Sequence, residues 1–184
     1  MRGSTDVDAV VVAAGARTRE LLLPLAVDCA VNPQRGQITH RHLRGVNTSP
    51  RPTVRPFTPN CMIPFDDGRI AVGATRESGS GCDPRITAAG QLRVVQDALR
   101  LAPRLADASL VETRVGIRPM GEDNLPILGE VPARPGLWTM TGFGADGLTL
   151  GPLMGDAAAR SVFGESTSEL PRSPPPPHNA AGGG

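Results

Sequence analysis

The sequence predicts an α/β (α+β) fold: pieces of a parallel-sheet layer towards both ends of the chain, with a mixed, mostly antiparallel sheet between them. Two observations carry this. From Asp8 to Ala14 the chain is a run of Val and Ala closed by Gly15, the pattern of a strand buried on both faces, and such strands belong to parallel sheets. From Val27 to about Pro119, short β-prone pieces alternate with Pro, Gly and Asn, the texture of an antiparallel or mixed sheet.

After the first strand, Gly15-Ala16-Arg17 makes a tight turn, and Thr18 is placed to cap a short helix over Arg19–Leu23 that stops at Pro24. Strand, glycine turn and helix make half of a βαβ unit. In the middle region the clearest strands are Cys61–Phe65, Ile70–Thr75 and Ser109–Ile117. Asp66-Asp67-Gly68 reads as the hairpin turn between the first two, because Asp and Gly accept positive φ. Pro64 cannot donate to a ladder, which puts its strand at an edge or at its end. Thr87 is a candidate N-cap for a helix whose apolar residues Leu92, Val95, Leu99 and Ala102 recur at helical spacing before Pro103. A strand at Leu137–Thr141, a glycine loop at Gly142–Gly147 and a helix from about Gly151 to Phe163 follow. Along that helix Leu150, Leu153, Met154, Ala157, Ala158, Ser161 and Val162 make one small, apolar stripe. Residues 165–184, with four consecutive prolines and a terminal glycine run, have a composition that forms no core, so this tail is expected to be disordered. The expected division is therefore 1–26, 27–118, 119–164 and the tail.

With 39% hydrophobic and 20% charged residues the chain belongs to the globular class, and its apolar runs are too short to span a bilayer. No apolar signal segment follows Met1, and a cytoplasmic location is expected. Every basic side chain is Arg and none is Lys, which excludes Schiff-base chemistry on lysine. The 18 acids nearly balance the 19 arginines, so general polyanion binding is not indicated. Cys29, Cys61 and Cys82 are too far apart for a zinc pair and read as buried small residues. His40 and His42 fall on one face of a strand, without neighbouring Cys or acid to make a metal site.

Two segments carry candidate chemistry. Thr141-Gly142-Phe143-Gly144-Ala145-Asp146-Gly147-Leu148-Thr149-Leu150 runs from a strand end through three glycines into a helix. Glycine lets backbone amides approach a ligand closely, and a helix N-terminus offers unpaired donors with partial positive charge. The same spacing also makes an ordinary structural turn. In Gly116-Ile117-Arg118-Pro119-Met120-Gly121 an arginine at a strand end precedes a rigid proline, from which its planar fork can grip a carboxylate. The alternative for Arg118 is an ion pair with Glu112, Glu122 or Asp123.

In order along the chain, these segments resemble the D-amino-acid-oxidase-like superfamily of FAD-dependent oxidoreductases, the glycine oxidase and sarcosine oxidase type. The resemblance covers roughly residues 8 to 165. It starts with Val10-Val11-Val12-Ala13-Ala14-Gly15-Ala16 and continues through Pro33-Gln34-Arg35-Gly36-Gln37 and Gly68-Arg69-Ile70-Ala71-Val72-Gly73-Ala74-Thr75. It ends with the Gly-x-Arg-Pro and Gly-x-Gly-x-x-Gly-Leu segments. The resemblance implies a partial Rossmann-like FAD layer joined to a substrate domain, oxidation of an amino acid or secondary amine by hydride transfer to flavin, and Arg118 as the substrate-carboxylate ligand. It also implies FAD contact at Gly15 and at Phe143, Gly144, Ala145, Asp146, Gly147, Leu148 and Thr149.

The chain departs from the family pattern in several places. It has no tyrosine, and Ala145 stands where glycine-oxidase-like members carry a second Arg, which leaves the substrate open. No Cys follows Cys82, so flavin attachment is expected to be noncovalent. The family's Gly-x-Gly-x-x-Gly strand-turn-helix has no counterpart before residue 8, and with it goes most of the pyrophosphate binding. The expectation is the C-terminal portion of an oxidase, truncated or split from an N-terminal FAD-binding chain, with cofactor binding incomplete in isolation. No catalytic acid–base pair and no metal site are assigned. Two other readings stand beside it: an inert remnant, and a non-enzymatic anion- or nucleic-acid-binding module on Arg35, Arg41, Arg44, Arg51 and Arg55. The second draws on a stretch free of acids from Cys29 to Phe65, with Phe57 its nearest stacking ring.

Overall fold

The computed structural model describes residues 4–55, 60–132 and 134–165. The chain divides into two compact units, one made of Met1–Pro33 with Arg118–Gly184 and the other of Gln34–Ile117. Val27–Pro33 and Arg118 thus fall in the first unit.

The first unit is built on a three-stranded sheet. β1 (Val10–Val12) lies parallel to a strand at Leu137–Thr141, which pairs antiparallel with one at Ile127–Glu130. The parallel pairing follows the sequence, but β1 is shorter than Asp8–Ala14 and is not buried on both faces. It stands at the sheet edge with Val10 47% and Val11 40% exposed. A short helix, α1 (Thr18–Leu22), follows the turn at Gly15. Thr18 is its first helical residue rather than its cap, and Arg17 occupies the cap position without a side-chain bond. The unit's core gathers Leu22, Val27, Cys29, Val31, Ile127 and Val131. Burial, then the neighbouring Asp28 charge, pushes the Cys29 thiol up to about 11, which leaves it protonated and inert at neutral pH.

In the second unit, β2 (Val31–His42) is a long strand that enters from the first unit and becomes the centre of a five-stranded sheet. β3 (Cys61–Pro64) and β4 (Arg69–Gly73) form the expected hairpin, with Gly68 at φ +80° in the turn and β3 at the edge. β5 (Glu77–Ser78) and β6 (Ser109–Gly121) both pair with β2. α2 (Ala88–Leu101) starts where expected, with Thr87 Oγ1 accepting the Gly90 amide at 3.2 Å. The buried face of α2 is offset from the apolar spacing of Leu92, Val95, Leu99 and Ala102. Gly90, Val94 and Ala98 point inward, Leu99 and Ala102 flank the core, and Leu92 is 58% exposed. Val94 and Ala98 join Met62, Ile70, Val72, Leu105 and Ala108 in the core. Of the other cysteines, Cys61 is half-buried and Cys82 exposed, because it lies in the glycine-rich loop after β5 and not in a core.

The last elements are β7 (Ile127–Glu130), β8 (Leu137–Thr141) and α3 (Gly147–Val162). β7 was not anticipated, since four residues between Pro126 and Pro132 carry little periodicity. α3 begins four residues before the expected Gly151, and Pro152 is accommodated within its second turn. Met154, Ala157 and Ala158 of the expected stripe are buried, while Leu153 is 52% exposed. The tail lies outside the described residues, apart from Glu165. No helix among the described residues is long and apolar enough to cross a membrane.

Candidate functional site

The chain brings three of its sequence motifs together in the first unit. β1 and β8 run parallel, so both leave the sheet at the same end, and ligands of parallel sheets bind outside such carboxyl ends. Gly15 leaves β1 at φ +56° and Gly142 leaves β8 at φ +80°. Thr141 Oγ1 ties the two exits by donating to Gly15 O at 2.9 Å. A Cβ at Gly142 would meet Leu125 O at 3.0 Å and Ile127 N at 3.2 Å, so the chain can turn here only without a side chain.

The turn is then fastened to the Gly-x-Arg-Pro segment. Gly144 N–H donates to Pro119 O at 2.8 Å, and Met120 and Phe143 face each other as an isolated antiparallel bridge. Gly144 has φ +56°, and a Cβ there would lie 3.3 Å from Met120 Sδ. Phe143 O accepts the Asp146 amide at 3.0 Å, and Asp146 O accepts the amides of Thr149 and Leu150 at 3.0 and 2.9 Å. The amides of Gly147 and Leu148 have no backbone acceptor among the described residues. These are the orphan donors of a helix start. Asp146, at the N-cap, makes no side-chain bond that would cover them. Around them Ala145, Asp146 and Thr149 are exposed and Leu148 is 99% exposed, whereas Phe143, Gly144 and Gly147 are half-buried.

Arg118 is half-buried on β6, immediately before the proline whose carbonyl holds Gly144. Of the three acids that the alternative reading would pair with Arg118, Glu112 lies 2.6 Å from Arg114, whose hydrogen bond holds its carboxyl below the usual range. Sequence reasoning placed the loop and the arginine but missed the Pro119 carbonyl and the Thr141 hydroxyl. The only signal for either was a Thr at a strand's last position and a Pro near another's end.

The Pro33-Gln34-Arg35-Gly36-Gln37 motif has a different use, inside the second unit. Gln37, fully buried, donates to Glu77 Oε1 at 2.8 Å and to Thr87 Oγ1 at 2.9 Å, and its Oε1 accepts the Thr87 amide and Gln91 Nε2, each at 3.2 Å. Arg35, 10% exposed, grips Glu77 Oε2 at 2.8 Å and Asp83 Oδ2 at 3.0 Å. Burial opposes the Glu77 charge, but hydrogen bonds from Thr75, Gln37 and Arg35 outweigh it and hold the carboxyl below its ordinary range. Asp83 is lowered to about 2, first by its hydrogen bonds from Arg85. Arg35 is therefore withdrawn from the basic stretch. Arg44, Arg51 and Arg55 of that stretch are exposed, Arg41 is half-buried, and Phe57 lies outside the described residues. No cluster of His, Cys, Asp and Glu among the described residues has the makeup of a metal site.

Comparison with known proteins decides the family. The model of the FAD dependent oxidoreductase (DAO) family matches residues 1–161. The chain belongs to this family. This DAO-family chain is 45% identical over 174 residues to an uncharacterised oxidoreductase, YurR, of Bacillus subtilis, covering 94% of this chain and 46% of that one. It is 34% identical to a glycine oxidase of Pseudomonas aeruginosa over 98% of this chain and 48% of that one. Among solved structures it resembles an iminodiacetate oxidase from Chelativorans sp. BNC1, with a TM-score of 0.85 and 50% identity over 91% of this chain and 45% of that one. A glycine oxidase from Geobacillus kaustophilus follows at a TM-score of 0.79 and 32% identity, over 87% of this chain and 42% of that one. The fold is thus that of part of a DAO-family protein, and the chain spans about half the length of the curated relatives it matches.

Proposed function

We propose that this chain forms the flavin-facing and substrate-binding half of an FAD-dependent oxidoreductase acting on an amino acid or secondary amine. The Gly144 to Pro119 hydrogen bond carries the reading, because it fixes the loop that bears the open helix amides beside the segment that bears Arg118. FAD, when bound, supplies the acceptor for the hydride lost by the substrate. The chain's own part is positioning and electrostatics.

The residues present fit such a group. Gly142 and Gly144 leave the turn free of side chains, and the amides of Gly147 and Leu148, backed by a helix of 16 residues, offer partial positive charge to an electron-rich ring carbonyl. Gly15 and Phe143 through Thr149 are the residues that would hold it, noncovalently, since no Cys lies beyond Cys82. Arg118 would hold the substrate carboxylate through two parallel hydrogen bonds and so set the orientation of the amine. The likeness to an iminodiacetate oxidase and to glycine oxidases supports an amine bearing a carboxylate. The pyrophosphate-binding unit comes from a further segment or an N-terminal partner chain.

The first test is the absorption spectrum of the chain with FAD, alone and after mixing with the N-terminal half of a DAO-family relative. Flavin bound at one per chain only in the mixture supports the reading, and no bound flavin in either overturns it. In the active assembly, Arg118→Gln is expected to raise KM for a carboxylate-bearing amine about 10- to 100-fold, the loss of a charge-assisted pair of roughly 1.5–3 kcal/mol. An amine without a carboxylate should show no such change. Equal effects on both substrates would remove Arg118 from the carboxylate role.

A further inference from the structure

The second unit contains an aliphatic cavity of about 390 Å³ that shares no residue with the glycine loop or Arg118. Its size falls within the roughly 300–1,000 Å³ usual for small-molecule sites. Met62, Ile70 and Leu105 are buried and come from the unit's core, so the cavity reaches into packed apolar structure. Its remaining lining comes from residues 43–54, from Pro64 of β3, and from the end of α2 and the turn after it, and among the described residues it contains no acid and no aromatic ring. Two cations complete it. Arg51 and Arg104 are both exposed, and among the described residues neither guanidinium has a carboxylate or hydrogen-bond partner. Arg35, Arg69, Arg85, Arg100 and Arg114 of the same unit are each paired with an acid, so Arg51 and Arg104 are among the arginines of the unit left open to an incoming anion.

We propose that this cavity binds a small aliphatic carboxylate, its tail over Met62, Ile70 and Leu105 and its head at Arg51 and Arg104. Apolar walls stabilise a chain in proportion to the area they cover, and they provide no hydrogen bond for a polar body. Two guanidiniums with no acid beside them among the described residues select an anionic head group over a neutral or cationic one.

Decanoate is the probe, titrated calorimetrically into the full chain below the concentration of micelle formation, beside 1-decanol and decyltrimethylammonium. Saturable binding at one per chain is expected, at least about tenfold tighter for decanoate than for decyltrimethylammonium. Arg51→Gln with Arg104→Gln should remove that preference while leaving the weaker binding of decanol. Val54→Trp, at an exposed lining position, should fill the cavity and abolish binding of all three. The proposal is overturned by the absence of saturable decanoate binding, by equal affinity for the cation, or by binding that survives Val54→Trp.

Discussion

Gly90 and Gln37 show how far single residues are constrained by contacts that the sequence does not display. A Cβ built on Gly90 would lie 2.0 Å from Gln37 Nε2 and 2.5 Å from its Cδ. Gln37 cannot swing aside, because its amide is held on both ends by Glu77, Thr87 and Gln91. Gly90→Ala is therefore expected to destabilise the chain by about 1–3 kcal/mol in urea unfolding, the cost of overpacking, although Ala is the better helix former. The carboxylates beside Arg35 make stability depend on pH. Glu77 and Asp83 have pKa values lowered by folding, so below their ordinary values of 4.5 and 3.8 the unfolded chain binds more protons. Their stabilisation is complete above about pH 4.5 and is lost as pH falls towards 2. Urea midpoints measured across that window should fall with acid, and Glu77→Gln should flatten the dependence while lowering the plateau. A plateau equal to that of the parent chain would mean that the Arg35 pair contributes nothing.

The elements were legible where their signals are local. Thr87 was placed as a cap because a β-conformation hydroxyl three residues before a free amide needs nothing beyond one turn of chain, and the structure has that bond. Thr87→Ala removes both this cap and the Gln37 contact, and thermal unfolding should show a loss of about 1–2 kcal/mol. Thr18, in the same kind of sequence context, did not become a cap, since α1 starts on it and buries its side chain. The hairpin at Asp66–Gly68 and the strand at Leu137–Thr141 were equally local. The inward face of α2 was not. Its apolar residues encircle too much of the helix for periodicity to choose, and the small Gly90 and Ala98 face inward because the sheet and the Gln37 amide approach there.

At the scale of the whole molecule, the chain carries apolar surface that its own fold leaves uncovered. β1 stands at the edge of its sheet, with Val10 and Val11 partly in solvent, and Leu148 and Phe163 are 99% and 82% exposed. An open edge bearing β-branched residues is a template for pairing with another chain. Val11→Lys should lower the self-association of the isolated chain, read by sedimentation velocity over a range of concentrations. An unchanged distribution would show that the β1 edge takes no part in it. An N-terminal half that covers this edge should suppress association in the parent chain in the same way.

The sequence alone carried the resemblance to the family through the order of its motifs, and it located the glycine loop, the candidate arginine and the larger part of the strands and caps, because these last rest on φ preferences and hydrogen bonds within a few residues. Only the tertiary structure decided that Gly15 meets Thr141 and Gly144 meets Pro119, that Arg35 is neutralised by Glu77 and Asp83, and that Arg51 and Arg104 border an apolar cavity. Those pairings join residues that lie tens of positions apart. They follow from strand order and register, which the sum of the packing sets and no short stretch of sequence encodes.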